Sequence, residues 1–271
     1  MNSKIAFLFD VDGVIADPKT RTLTKPQIVE HIINRLQRSI PVSIISGRAM
    51  PWLRERILKV FEDYIESHSD LSKQILDNLY VSAEFGGIEA VYQNGQRKES
   101  FNQEVELSKK IFDALQKIGV EFKHYAFIDQ EKQTHFTLEA NIDDNNDFGT
   151  HKNEIADALK TVIADNAELE VHIDRLSVNV KNKKANKKYS TVQFLKWLQE
   201  KEYKVEKYYV FGDAVSDFEM GYALREIDAQ FEFIFTGDED EIDTKNLPFT
   251  VTVTKGHCDE GTLEFLNSQR T

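Results

Sequence analysis

Three short apolar runs in this sequence each end in residues able to do chemistry. Asp10-Val11-Asp12 follows Ile5 to Phe9, Ser46-Gly47-Arg48 follows Val42 to Ile45, and Asp213 to Asp217 follows Tyr208 to Phe211. Carboxylates at i and i+2 just past a strand can divide the work: one side chain faces the ligand and the other exchanges a proton with it. Two acids at one strand end repel each other unless a cation neutralises them. Asp213 and Asp217 add further oxygen donors, and hard oxygen ligands with open positions suit magnesium. Ser46, the amides after it and the ammonium of a lysine such as Lys188 could hold the oxygens of a phosphoryl group. Arg48 receives no role.

These residues need a scaffold that gathers three strand ends, and the order of elements supplies one. Ile5 to Phe9 reads as a buried parallel strand. Pro26 to Arg38 has apolar residues at Ile28, Ile32, Ile33 and Leu36, a helical spacing with Thr24 as its cap. Val42 to Ile45 is a second strand, Pro51 to Ile65 a second helix, and residues 80 to 93 a strand pair around Gly86-Gly87. From about residue 97 the pattern changes to a smaller α+β insert. It contains a helix over Phe101 to Ile118, a strand over His135 to Ile142, a helix over Phe148 to Ala164 and strand-like sequence over Leu169 to Val180. The sheet resumes with a helix over Ser190 to Leu198, strands at Tyr208 to Phe211, Phe231 to Phe235 and Phe249 to Val253, and a helix over Gly261 to Leu266. This alternation predicts an α/β fold, a Rossmann-like doubly wound parallel sheet with an inserted α+β cap. The expected division is core 1–92, cap 93–182 and core 183–271. Ligands of such sheets bind beyond the carboxyl ends of the strands, where the three clusters fall.

Phe7 to Val14, Ser46 to Arg48, a helix-opening lysine and Gly212 to Asp217 resemble the four ordered motifs of the haloacid dehalogenase superfamily. About 36 residues separate Asp10 from Ser46, too few for a cap, whereas about 140 separate Ser46 from Lys188. That spacing resembles the C2-capped branch of sugar-phosphate phosphatases, Cof-type phosphatases and phosphomannomutases. Glu84 to Gly87 and Cys258 to Leu263 also resemble segments seen there. The resemblance implies a phosphomonoester hydrolase in which Asp10 attacks phosphorus and Asp12 protonates the leaving oxygen and then activates water. It implies Mg2+ on the Asp10 carboxylate, the Asp12 carbonyl and Asp213, with Asp217 as ligand or orienting group, and phosphoryl oxygens on Ser46, the Gly47 amide and Lys188. Val14 stands where threonine is more usual in the family. For the lysine, Thr191, Val192 and Leu195 at suitable offsets favour Lys188, with Lys187 as the alternative. None of the assigned residues lies within 93–182, so that segment is expected to select the leaving group.

Composition narrows the field. A net charge of −12 argues against nucleic acid as partner, and no apolar run is long enough for a membrane span. One cysteine, Cys258, and no visible secretory signal suggest a cytoplasmic protein acting on a small phosphorylated metabolite. Asp143 to Gly149 has the glycine of a calcium loop one place late and reads as an acidic turn. The other lysines of the basic run from Lys181 read as a solvated loop. Two other functions fit the same motifs, a phosphomutase and a non-catalytic metabolite binder.

Overall fold

A computed structural model describes residues 4–141, 147–174, 176–242 and 247–269. The first strand, β1 (Ile5–Phe9), leads through a loop into α1 (Pro26–Gln37), then β2 (Val42–Ile45). Helix α2 (Met50–Leu53) passes through a wider turn, Arg54–Leu58, into α3 (Lys59–Ser67). Next come β3 (Leu79–Ala83), β4 (Ile88–Gln93) and β5 (Gln96–Phe101), then α4 (Lys109–Glu121), β6 (Ala126–Ile128), β7 (Phe136–Ala140), α5 (Phe148–Ile163), β8 (Leu169–Ile173) and β9 (Ser177–Asn182). The chain ends with α6 (Lys187–Glu200), β10 (Lys207–Gly212), α7 (Phe218–Glu226), β11 (Gln230–Phe235), β12 (Val251–Val253) and α8 (Cys258–Ser268).

The strands form two sheets. The larger has the order β12-β11-β10-β1-β2-β3-β4-β5, parallel from β12 to β3 and antiparallel from β3 to β5. Because side chains alternate along a strand, β1 feeds two cores at once. Phe7 and Phe9 join the cluster under α1, α3 and α8, while Ala6 and Leu8 join the cluster under α6 and α7. Burial on both faces explains why β1 is a continuous apolar run. The smaller sheet, β6-β7-β9-β8, is antiparallel and packs one face against α4 and α5 around Phe136, Leu138, Leu159 and Val180. The α/β class and the inserted α+β unit are therefore as expected.

Three local readings change. Residues 96–101 are strand β5, hydrogen-bonded to β4 in the large sheet, and the helix starts at Lys109 rather than Phe101. The hairpin turns on Asn94 (φ 54°) and Gly95 (φ 73°), an Asn-Gly pair suited to left-handed backbone, and Ser108 caps α4 by accepting a bond from the Ile111 amide. Helix α7 has no counterpart in the sequence reading. Thr24 does not cap α1; the N-cap is Lys25, without a side-chain bond, and the Thr24 hydroxyl instead donates to Asp259 at 2.6 Å. Asp143 to Asn146 of the acidic segment lie outside the described residues.

Candidate active site

Asp10 directly follows β1, and its amide donates to the Phe211 carbonyl of β10 at 3.1 Å, so the two strands that carry the acids are bonded at their ends. The chain then turns sharply. Gly13 has φ +73°, and a Cβ there would stand 2.1 Å from Asp213 Oδ2, so only glycine lets the two acidic loops approach. Asp217 is fully buried, and its Oδ2 accepts the Asp213 and Ala214 amides, both at 2.9 Å. Oxygens of Asp10, Asp213 and Asp217 all lie within 4.8 Å of one another.

One ammonium enters this cluster, and it belongs to Lys187. Its Nζ donates to Asp10 Oδ1 at 2.8 Å and also to Asp217 Oδ1. The expected Lys188 points away from the site, half-exposed, and pairs with Glu226 on α7. The reason is helical phase. Lys187, Ser190, Thr191, Phe194, Trp197 and Leu198 form the buried stripe of α6. Counting three, four and seven places on from either lysine finds small or apolar residues, so that test was ambiguous. Eleven places on separates them, because Leu198 continues the Lys187 stripe whereas Gln199 breaks the one from Lys188.

Electrostatics makes the cluster one that a bound cation would stabilise. Burial raises Asp10 well above the ordinary carboxylate range, against the pull of Lys187 and with help from Asp217 and Asp213. Burial and then the Asp217 charge push Asp213 up to about 7. Lys187 stays protonated, because Asp10 and Asp217 outweigh the cost of burying it. Three carboxylates against one ammonium, all offering hard oxygen donors, fit magnesium.

Asp12 lies outside that cluster. Arg48 clasps its carboxylate in a two-pronged pair, Nε to Oδ2 at 2.7 Å and Nη2 to Oδ1 at 3.1 Å, and itself lies 5.1 Å from the Trp52 ring centre. The Ser46 hydroxyl accepts the Arg48 amide at 3.1 Å. Gly47 must be glycine because the Phe85 ring would lie 2.4 Å from a Cβ. Asp10, Asp12, Ser46, Gly47, Lys187 and Asp213 all line one cavity of about 760 Å³ at the carboxyl ends of the strands.

The far wall of the cavity comes from the smaller sheet, through Thr137, Glu139, Ser177 and Asn179, and from the loop of residues 129–132. Two residues that the sequence left without a role matter here, Lys132 and Glu84, the second noted only as the start of a segment resembling the family. Lys132, nearly buried, donates to the Gly47 carbonyl, and burial lowers its pKa. Glu84, fully buried, accepts the Gln133 and Thr134 amides and the Thr134 hydroxyl, the last two at 2.8 Å, fastening that loop to the large sheet. A lone lysine carries no periodic signal, and the segment from Glu84 did not show which loop its carboxylate would hold.

A largely parallel sheet with acids at the ends of β1 and β10 and Ser46-Gly47-Arg48 at the end of β2, walled by an inserted α+β unit, defines a class of fold that solved structures also show. Trehalose-6-phosphate phosphatase of Aspergillus fumigatus is 19% identical over 98% of this chain and 93% of its own, with TM-score 0.56. A haloacid dehalogenase-like hydrolase from Bacteroides thetaiotaomicron is 10% identical over 98% of both chains, with TM-score 0.67. Sucrose-phosphatase from Synechocystis, solved with sucrose and phosphate, is 12% identical over 98% of this chain and 97% of its own, with TM-score 0.57. The fold is that of the haloacid dehalogenase-like hydrolases. No protein-family model matches the sequence, and no curated protein does.

Proposed function

We propose that the protein is a magnesium-dependent phosphatase that hydrolyses a small phosphorylated metabolite, a sugar phosphate in the first instance. The carrying observation is the constellation of Asp10, Lys187, Asp213 and the buried Asp217, the first three of which line the cavity. Asp10 attacks phosphorus, and the P–O bond to the leaving group breaks as its oxygen takes a proton from Asp12. Asp12 then removes a proton from water, which attacks the aspartyl phosphate and restores the Asp10 carboxylate. Lys187 orients Asp10 and offers its charge to the phosphoryl oxygens, while the Ser46 hydroxyl and the Gly47 amide offer them neutral hydrogen-bond donors. Asp10, Asp213 and Asp217 would hold magnesium, which supplies charge compensation for the phosphoryl group. The Asp12 carbonyl remains a candidate ligand, while its carboxylate is occupied by Arg48. For the acid half-step Asp12 must carry a proton, so Arg48 has to turn its donors to another anion; the incoming phosphoryl group is the obvious one.

The substrate class rests on the wall facing the acids. Hydroxyl and amide groups of Thr137, Ser177 and Asn179, with Trp52 and Phe85 nearby, suit a polyol. Trehalose-6-phosphate and sucrose-phosphate phosphatases share the fold. We place the cap within 93–182, its first strand-forming residues up to Phe101 belonging structurally to the core. The charge of −12 supports a small-molecule partner over nucleic acid, and the single cysteine supports a cytoplasmic setting. Among the described residues no helix is long and apolar enough to cross a membrane. The test is release of inorganic phosphate from a panel including sugar 1- and 6-phosphates, with magnesium. Turnover of at least one member is expected. Positional transfer without phosphate release would make the protein a mutase, and binding without turnover a sensor.

A further inference from the structure

Among the described residues four cations line the cavity at the carboxyl ends of the strands, and three of them are held by carboxylates. Arg21 pairs with Glu139 at 3.3 Å, Arg48 with Asp12 at 2.7 Å and Lys187 with Asp10 at 2.8 Å. The fourth, Lys132, stands on the loop between β6 and β7 and pairs with no carboxylate of the described residues. It is 9% exposed, and among those residues its ammonium meets one acceptor, the neutral Gly47 carbonyl, which leaves two of its three N–H groups without a partner. A buried ammonium ordinarily has an anion beside it, because an uncompensated charge in the interior is costly. Burial lowers the Lys132 pKa, against the weaker pull of Glu84 and Asp129. The loop is fastened on both sides of the lysine: the Asp129 side chain accepts the Glu131 amide at 3.0 Å, and Glu84 accepts the Gln133 and Thr134 amides. Lys132 is thus held at the cavity with donors to spare.

We propose that Lys132 is a catalytic residue supplied by the inserted unit, its ammonium binding the phosphoryl group that Asp10 attacks. This rests on the phosphatase reading for where the phosphoryl group lies. The position follows from Gly47, whose carbonyl holds Lys132 and whose amide is assigned to a phosphoryl oxygen. The nitrogen and oxygen of one residue are roughly 3 Å apart given standard backbone dimensions, so an oxygen on that amide is within reach of the ammonium. One N–H keeps the Gly47 carbonyl while the others take phosphoryl oxygens, which carry the charge of the transition state. A phosphoryl dianion supplies the compensation that the buried ammonium lacks. The inserted unit then takes part in the phosphoryl step itself as well as in selecting the leaving group, and a bound phosphoryl group draws that unit onto the large sheet.

The test uses the full-length protein with magnesium and two probes that lack a sugar, inorganic phosphate titrated calorimetrically and p-nitrophenyl phosphate as substrate. Lys132→Met removes a buried charge and keeps an apolar chain, so the fold should hold; Lys132→Gln keeps a donor for the Gly47 carbonyl without the charge. In both variants phosphate should bind at least about tenfold more weakly than in wild type. In Lys132→Met, kcat/KM for p-nitrophenyl phosphate should fall by about the same factor as for a sugar phosphate, because the contact is to the group the two substrates share. Phosphate affinity unchanged in Lys132→Met, with loss confined to the sugar phosphate, overturns the proposal and makes Lys132 a selector of the leaving group. Wild-type affinity in Lys132→Gln overturns it too, since the bond to Gly47 would then matter and the charge would not. A protein that turns over no ester while its phosphate affinity still depends on Lys132 would lose the phosphatase reading and keep this anion contact.

Discussion

Asp10 and Lys187 form the pair on which the proposed chemistry rests, and their roles separate by substitution. Asp10→Asn keeps shape but removes the nucleophile, and should lower kcat by about 10³-fold or more with the fold intact by circular dichroism. Lys187→Met should cost about 10²-fold or more, since it removes the cation held between Asp10 and Asp217. Lys188→Met should stay within about twofold, because it breaks only a half-exposed pair with Glu226. A large loss in Lys188→Met with activity retained in Lys187→Met would put the helix in the other phase. The identity of the acids was legible in the sequence, because a carboxylate just past an apolar strand is conspicuous. The identity of the lysine was not: neighbouring residues on a helix differ by about 100° in direction, and a short offset test matched both.

At the scale of elements, the loop of residues 129–134 ties the inserted unit to the large sheet. Excising 93–182 would remove Lys132 from the Gly47 carbonyl and strip Glu84 of its three hydrogen-bond donors. The expectation that residues 93–182 select the leaving group therefore needs a finer experiment than their excision. Lys132→Met should leave the melting temperature nearly unchanged and lower kcat/KM for a sugar phosphate by about 10- to 100-fold, by removing a cation beside the phosphoryl site. Glu84→Ala should destabilise the protein by about 2–4 kcal/mol, because buried amides lose their acceptor. Thermal melts and steady-state kinetics on both variants check this, and an unaffected melt for Glu84→Ala would show that the loop is held by other contacts.

At the scale of the whole molecule, the buried acids link stability to pH and to divalent cations. Asp10 and Asp213 have folded-state pKa values raised above the unfolded ones. Their contribution is therefore fully present below about pH 4 and is lost as pH rises through the folded values, about 7 for Asp213. Cation-free protein should lose stability through these two groups over that interval. Magnesium binds the ionised form, so its stabilising effect should grow as the acids deprotonate. The melting temperature gained on replacing EDTA by millimolar magnesium should be larger near pH 8 than near pH 6, roughly by 2–4 °C for each additional kcal/mol. An equal gain at both pH values would show that these carboxylates do not titrate in that window.

Legible in the sequence by itself were the alternation of strands and helices and the strand ends at which Asp10, Asp12, Asp213 and Asp217 stand. Those features are written in short apolar runs and in residues adjacent to them, where local periodicity and polarity are sufficient. It did not disclose β5, whose alternation is weak because every side chain but that of the half-buried Arg97 is exposed, although the Asn94-Gly95 turn was there to be read. Only the tertiary structure decided which lysine enters the cluster, that Arg48 holds Asp12, and that Lys132 and Glu84 join the inserted unit to the core. Each depends on distance between residues far apart in the chain, 177 positions for Lys187 and Asp10, and such contacts are fixed by the packing of both faces of the sheet rather than by any local pattern.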